Sequence, residues 1–215
     1  MFIGHFALGF AAKRAAPRIS LGTLCGAAVL SDLLWPVLVA VGIEQVRILP
    51  GATAFTPLEF VSYPYSHSLL CVAIWGLAVG GLYGLRLHGF RAMAVVTLLV
   101  LSHWVLDWVT HAPDMPLYPG GPRYGLGLWY SVPATIVVES TLFVAGVWTY
   151  VRLTRPRDGA GHWGLVSLVL LLVIAYVANI LGGPPPSIDA LWMVALAGGA
   201  MTLLMALWID GHRTI

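Results

Sequence analysis

Residues 92–111 read AMAVVTLLVLSHWVLDWVTH, an apolar run that carries two histidines and one aspartate. About 20 apolar residues suffice for a helix to cross the roughly 30 Å hydrocarbon core of a bilayer. The stretch therefore predicts a membrane-spanning helix. His103, Asp107 and His111 recur every four residues, so they form one stripe along that helix. Ionisable side chains are costly in lipid, and this stripe points to a functional site.

The composition of the chain is typical of a membrane protein. Hydrophobic residues make up 59% of the 215 residues and charged residues 9%, against about 25% charged in soluble domains. A formal net charge of +2 argues against nucleic acid as a partner. Cys25 and Cys71 lie in apolar runs and indicate no disulfide framework.

Apolar runs of spanning length recur along the chain. They predict an all-α, polytopic membrane helical bundle that occupies residues 1–215 as a single domain with about six spanning helices. Residues 1–12 form a shorter apolar run of about 18 Å as a helix, which we expect to dip into the membrane. It has neither a basic start nor a cleavage site, so we do not expect it to be a removed signal peptide. The predicted spans are 20–43, 66–86, 92–111, 132–151, 163–182 and 188–209.

Basic residues fall in alternate connections, which predicts the orientation of the chain. By the positive-inside rule, the connections that carry them face the cytoplasm, as does the C-terminus. The connections 43–65, 111–131 and 182–187 are then on the outer side. Three further histidines near the basic loops are interpreted as solvated surface residues: His88, His162 and His212.

Ionisable residues within the apolar segments agree in depth, because alternating helix directions bring them to the non-cytoplasmic half of the membrane. For any one of them alone, a hydrogen-bonding or ion-pairing role is equally open. No Arg or Lys is expected at that depth to neutralise the three carboxylates, so a cluster of divalent cations is the economical partner. The expected metal ligands are His5, Asp32, His67, His103, Asp107, His111 and Glu139.

The stripe on residues 92–111 favours more than one ion. His103 and His111 are about 12 Å apart along the helix axis, too far to bind a single ion, and Asp107 between them could bridge two. Nitrogen and oxygen ligands without a thiolate favour zinc first, with manganese or iron as alternatives. Residues 1–150 would then carry the metal site, and the last two helices, 163–209, would serve packing.

Other polar residues are candidates for supporting roles. Arg123 lies in a proline-rich loop above the expected site and could hold a phosphate or carboxylate, although an ordinary loop arginine is equally open. Glu59 and Asp114 could orient metal-bound histidines, or simply face water.

These residues give the chain a resemblance to the YdjM-type family of bacterial inner-membrane proteins, described as metal-dependent hydrolases. The resemblance covers roughly residues 1–150. That family is similar in turn to zinc-dependent phospholipase C and S1/P1 nuclease, whose clusters use an early His, an Asp, a His, a His-x-x-x-Asp pair, another His and a late Glu. The resemblance implies that the seven ligands fill these roles in order. Its motifs are Phe2-Ile3-Gly4-His5-Phe6, Ser31-Asp32, Tyr65-Ser66-His67-Ser68-Leu69, and His103 to Asp107 followed by Thr110-His111.

Some positions depart from the family pattern. Ser31-Asp32-Leu33-Leu34 lacks a second Asp, and the segment before His67 lacks a second His. Thr135 stands one turn before Glu139, where the phospholipase pattern has a histidine. We therefore expect two or three ions.

The resulting prediction is a hydrolase at the outer side of a bacterial inner membrane. Its ions would activate water to cleave an ester, with the phosphoester of a lipid or amphiphile favoured because its tail can stay in the bilayer. Asp32 or Glu139, if not a full ligand, is the candidate general base, and Arg123 the candidate head-group clamp.

Three alternative functions use the same residues or the same metal. A metal-ion or proton transporter would bind its cargo at the intramembrane His and Asp side chains. A structural metal would clamp the helices through a closed coordination sphere. An intramembrane metalloprotease is disfavoured because the chain contains no His-Glu-x-x-His.

Overall fold

The computed structural model describes residues 1–86 and 89–215, so His88 lies outside the described residues. It is a bundle of α-helices, which confirms the predicted all-α class. The helices are α1 (Ile3–Ala12), α2 (Leu21–Ala28), α3 (Leu30–Ala40), α4 (Pro64–His67), α5 (Leu69–Arg86), α6 (Phe90–Thr110), α7 (Val132–Leu153), α8 (Gly159–Leu181) and α9 (Ile188–Gly211).

Five of these helices, α5 to α9, are long and apolar enough to cross a membrane. The predicted segments match them closely, because hydropathy over about 20 residues is a strong local signal. Three of the helices begin after a polar residue whose side chain accepts the backbone N–H three residues further on, which satisfies a donor that the helix itself cannot. These residues are Ser131, Asp158 and Ser187.

The predicted span over residues 20–43 is not one straight helix. The segment forms two helices, α2 and α3, which break at Val29 and bend by 59°. Together they still pass as one bent span, which gives up to six spans in the described part of the chain. The break frees backbone groups inside the bundle, and such groups need partners from other elements.

Helix α1 lies inside the bundle and packs mainly against α7. Its ten residues reach about 15 Å, which agrees with the expected short segment. Phe6 and Phe10 are buried on it. A Cβ added at Gly146 of α7 would lie 2.3 Å from the carbonyl oxygen of Ala7, so this glycine allows the two helices their close contact.

The last two helices join the same core. Leu168 and Leu172 of α8, with Ile209 of α9, pack in one buried cluster with Phe6 and Phe10. The purely packing role expected of the C-terminal segment stays a prediction.

Short strands, which the sequence analysis did not predict, order the connections. Strands β1 (Gln45–Ile48) and β2 (Leu58–Ser62) form an antiparallel hairpin in which Arg47 pairs with Glu59. Strand β3 (Met115–Pro116) pairs with β4 (Arg123–Tyr124), and β5 (Arg155–Pro156) with β6 (Arg213–Thr214). The amide of Phe55 donates to the carbonyl of Trp129, which ties the hairpin to the connection before α7.

Candidate metal centre

Helix α6 supplies the centre of the site. His103 and Asp107 lie one turn apart and are 0% and 1% exposed, with Nε2 of the histidine 3.0 Å from Oδ2 of the aspartate. The helix ends at Thr110 and His111 is extended. The third member of the predicted stripe therefore leaves the helix.

A first group of three possible ligands joins α1 to α6. One donor atom each from His5, His103 and Asp107 lies within 4.8 Å of the other two. Nε2 of His5 is 3.0 Å from Oδ1 of Asp107. The rings of His5 and His103 stack with centroids 3.8 Å apart. The amino group of Met1 also donates to Oδ1 of Asp107, so this carboxylate already faces a positive group.

A second group shares His103 with the first. Asp32, His67 and His103 again offer donor atoms within 4.8 Å of one another. Nε2 of His67 and Nε2 of His103 are 3.4 Å apart, and Oδ1 of Asp32 is 3.7 Å from each of these nitrogens. Two imidazole lone pairs repel at this distance unless a proton or a metal ion lies between them. Nε2 of His103 belongs to both groups but can bind only one ion. Asp107 offers two oxygens, with Oδ1 beside His5 and Oδ2 beside His103 and His67, so its carboxylate could bridge two ions.

The tautomers of two histidines follow from the acceptors behind their rings. Nδ1 of His103 is 2.9 Å from the carbonyl oxygen of Ala28, which is available because the helix breaks after this residue. Nδ1 of His67 is 2.7 Å from Oγ of Ser66. A carbonyl oxygen can only accept, so His103 carries its proton on Nδ1 and presents the Nε2 lone pair to the site.

Glu44 determines the tautomer of His67, and the sequence analysis missed it. It is 2% exposed and accepts the backbone N–H groups of Tyr65 and Ser66 at 2.8 and 2.9 Å. Its other oxygen accepts the hydroxyl of Ser66, whose lone pair then accepts Nδ1–H of His67. A single acidic residue in a loop has no periodicity, so only the spatial fold reveals this relay.

His111 lies beside these groups and belongs to neither of them. Its Nδ1 is 3.0 Å from Oδ1 of Asp114, the geometry expected of an orienting carboxylate. Its ring packs on Trp129 and Phe60, with centroids 4.1 and 4.8 Å apart. Burial lowers the pKa of His111, which favours the neutral ring that a metal needs.

Glu139 points at the start of α1. Its Oε2 accepts the backbone N–H groups of Phe2 and Gly4 at 2.8 and 3.3 Å. Its Oε1 is buried and has no hydrogen-bond partner among the described residues, and the same holds for Nδ1 of His5. Glu139 thus positions the helix that carries His5, and its second oxygen is unpaired in the described structure.

Two of the sequence candidates lie outside the cluster. Arg123 is exposed and donates to the carbonyl of Val61 at 3.0 Å, which joins β4 to the β1–β2 hairpin. Glu59 pairs with Arg47 across that hairpin at 3.2 Å and contacts no histidine of the cluster in the described structure.

A comparison with known proteins assigns the chain to a family. The family model described as YdjM inner membrane protein matches residues 1–182, so the chain belongs to this family of inner-membrane proteins. No curated protein matches the chain, and neither does any solved structure. The further similarity to phospholipase C and S1/P1 nuclease therefore stays a prediction.

Proposed function

We propose that this YdjM family member is a membrane-embedded, metal-dependent hydrolase of phosphoesters carried by lipids or other amphiphiles. One observation carries the proposal. Two groups of three ligand atoms, each within 4.8 Å, adjoin in one cluster, and Asp107 presents Oδ1 to His5 and Oδ2 to His103, so that its carboxylate could bridge two neighbouring ions. Five of the seven candidate ligands belong to these groups: His5, Asp32, His67, His103 and Asp107.

The donor atoms fit divalent cations. They are imidazole nitrogens and carboxylate oxygens, which suit zinc, manganese or iron better than Cu(I). The orphaned Oε1 of Glu139 and Nδ1 of His5 are polar atoms whose burial is costly without a partner. A second ion or an ordered water would relieve that cost.

Residues of the chain have separate roles in the proposed hydrolysis. When bound, divalent ions would supply an acidified water and a Lewis acid for the phosphoryl oxygens. Asp32, whose side chain is 44% exposed, borders the open side of the cluster and, where it is not a full ligand, is our candidate proton acceptor. His67 and His103 are held by the hydrogen bonds at Nδ1, so their rings need no reorientation during turnover.

An amphiphilic substrate suits the position of the cluster. Asp32 lies close to the break between α2 and α3. The ring of His111 packs on Phe60 of the β1–β2 hairpin and on Trp129 of the connection before α7. A head group could enter this polar region while its tail stays in lipid. Arg123 sits on the neighbouring connection, and we propose it as the head-group clamp after release of its bond to Val61.

The transporter alternative requires a polar path through the protein. Below the cluster, α1 continues with Phe10, which is 0% exposed and packs edge-on against Phe143 and Tyr150. An ion would have to cross this apolar layer. The layer favours a site that is open on one side, and the exposure of Asp32 favours a coordination sphere with an open position over a purely structural metal.

The first test is the metal content of the purified chain. We expect two or more equivalents of zinc, manganese or iron by elemental analysis, which His103→Ala and Asp107→Ala both lose. His212→Ala is the matched control, since His212 pairs with Asp158 at the surface. Wild-type protein should then release phosphate or head group from a lipid phosphoester panel, and the two site variants should not.

Two results would contradict the proposal. The first is a metal content no higher than background in folded protein that was never exposed to a chelator, because metal-dependent hydrolysis would then have no basis. Full metal content with no cleavage of any phosphoester, together with metal-dependent ion flux in vesicles, would establish the transporter instead.

A further inference from the structure

A cavity of about 300 Å³ lies at the end of the bundle opposite the metal centre. It is formed where α1 and α7 end, where α8 begins and where β6 follows α9. From Glu139 to Leu153, helix α7 rises about 21 Å at 1.5 Å per residue, so this cavity is separate from the proposed catalytic cluster. Basic side chains dominate its lining: Lys13, Arg18, Arg157 and Arg213.

A buried polar frame holds the cavity floor in place. Lys13 is 5% exposed and donates to Oδ2 of Asp210 at 2.7 Å and to the carbonyl of Ile19 at 2.9 Å. Arg213 is 7% exposed and donates to Oγ1 and O of Thr154 and to the carbonyl of Gly161. These bonds fix two of the cations and supply their partners.

The other two cations are not paired in this way. Arg18 and Arg157 are exposed at the cavity rim, and in residues 1–86 and 89–215 neither forms an ion pair. Asp210 is the one acidic side chain among the lining residues. The cavity therefore carries an excess of positive charge, which an anion would neutralise.

Apolar surroundings indicate that the anion belongs to a lipid. Arg18 also borders a second cavity of about 410 Å³, lined largely by apolar residues such as Ala16, Ile19 and Ala92. At the same end of the bundle, Trp163 and Trp208 are 66% and 52% exposed, as aromatic side chains are at a membrane interface. A soluble anion would gain nothing from these features.

We propose that the basic cavity binds the phosphate of an anionic phospholipid head group. Arg18 and Arg157 contact the phosphate oxygens through their guanidinium groups, which match phosphate geometry. Lys13 and Arg213 form the positive floor below it. The apolar cavity beyond Arg18 receives part of an acyl chain. Basic pockets between membrane helices bind anionic lipid head groups in this manner.

The test compares lipid affinities of the full-length, purified protein in detergent by native mass spectrometry. The probes are phosphatidylglycerol and phosphatidylcholine of equal chain length. We expect wild type to bind phosphatidylglycerol about tenfold more tightly, because each basic residue at a membrane surface contributes appreciably. The double variant Arg18→Gln/Arg157→Gln should reduce this preference to about twofold or less.

A charge-matched control separates the cavity from general surface charge. Arg14→Gln/Arg86→Gln removes two exposed arginines that do not line the cavity, and it should keep the wild-type preference. Equal loss in both double variants, or no preference in wild type, would overturn the proposal. Inorganic phosphate at the lipid concentration should not displace phosphatidylglycerol, and displacement would overturn the assignment to a lipid. Unchanged melting temperatures and metal contents would show that the variants are folded.

Discussion

At the scale of single residues, the candidate metal centre depends on groups that orient its histidines without being candidate ligands themselves. Glu44 accepts three hydrogen bonds from the α4 segment, and through Ser66 it orients His67. Ala28 does the same for His103 with a backbone carbonyl. Such outer partners fix the tautomer and the direction of a ligand, and their loss typically lowers metal affinity about 10- to 100-fold.

Glu44→Gln is a direct test of this relay. The amide nitrogen would donate to Ser66, whose hydroxyl would then donate to Nδ1 of His67 and leave the proton on Nε2. We expect the apparent metal affinity to fall about 10- to 100-fold, measured by competition with a chromophoric chelator.

Glu59→Gln serves as the control for that measurement. Glu59 pairs with Arg47 on the exposed face of the hairpin, and its variant should bind metal as wild type does. Equal affinities for wild type, Glu44→Gln and Glu59→Gln would show that the relay plays no part in metal binding.

At the scale of helices, the site depends on how α1 packs along α7. Glu139 of α7 holds the first amides of α1, and two turns further on Gly146 meets the backbone of Ala7. The position of His5 is therefore determined by the packing of these two helices.

Gly146→Ala should separate the two helices. Its Cβ would lie 2.3 Å from the carbonyl oxygen of Ala7, so α1 must shift, at a cost of about 1–3 kcal/mol of folding free energy. We expect a lower melting temperature in detergent and a reduced metal content, since His5 moves with α1.

Gly198→Ala, in α9, is the matched substitution. A Cβ at Gly198 meets no atom within 4 Å, and alanine is a better helix former than glycine by about 1 kcal/mol. Its melting temperature should stay equal or rise. If Gly146→Ala behaved in the same way, the close contact between α1 and α7 would not control the site.

At the scale of the whole molecule, the candidate metal centre and the basic cavity occupy opposite ends of the bundle. The apolar cluster that contains Phe6 and Phe10 lies between them and includes residues of α8 and α9. The positive-inside rule predicts that the basic end faces the cytoplasm, and in that orientation the candidate metal centre would lie toward the outer side.

Cysteine labelling tests this orientation. In a Cys25→Ala/Cys71→Ala background, Ala54→Cys lies in the loop of the β1–β2 hairpin and Thr214→Cys lies on β6, both exposed. A membrane-impermeant maleimide should label Ala54→Cys in cells whose inner membrane is intact and label Thr214→Cys only after lysis. The reverse pattern would mean that the centre opens to the cytoplasm.

The sequence by itself determined the positions of the five long apolar helices, the fold class and the set of candidate ligands. Hydropathy is a property of a local window, so α5 to α9 were predicted with ends close to those observed. Ionisable side chains in apolar runs are equally visible, and His5, His103 and Asp107 were identified in this way. The family match over residues 1–182 agrees with the motifs that those residues form.

Only the tertiary structure decided which candidates meet and what holds them. Contacts between segments distant in sequence accompany the helix break at Val29. Such contacts also include the hydrogen bonds of Glu139 with the start of α1 and of Glu44 with Ser66. Spacing along one helix fixes a shared face, but it does not fix how that helix is rotated against its neighbours or where a loop returns. The convergence of His5, Asp32 and His67 on α6 follows from that packing, because each arrives on a different element.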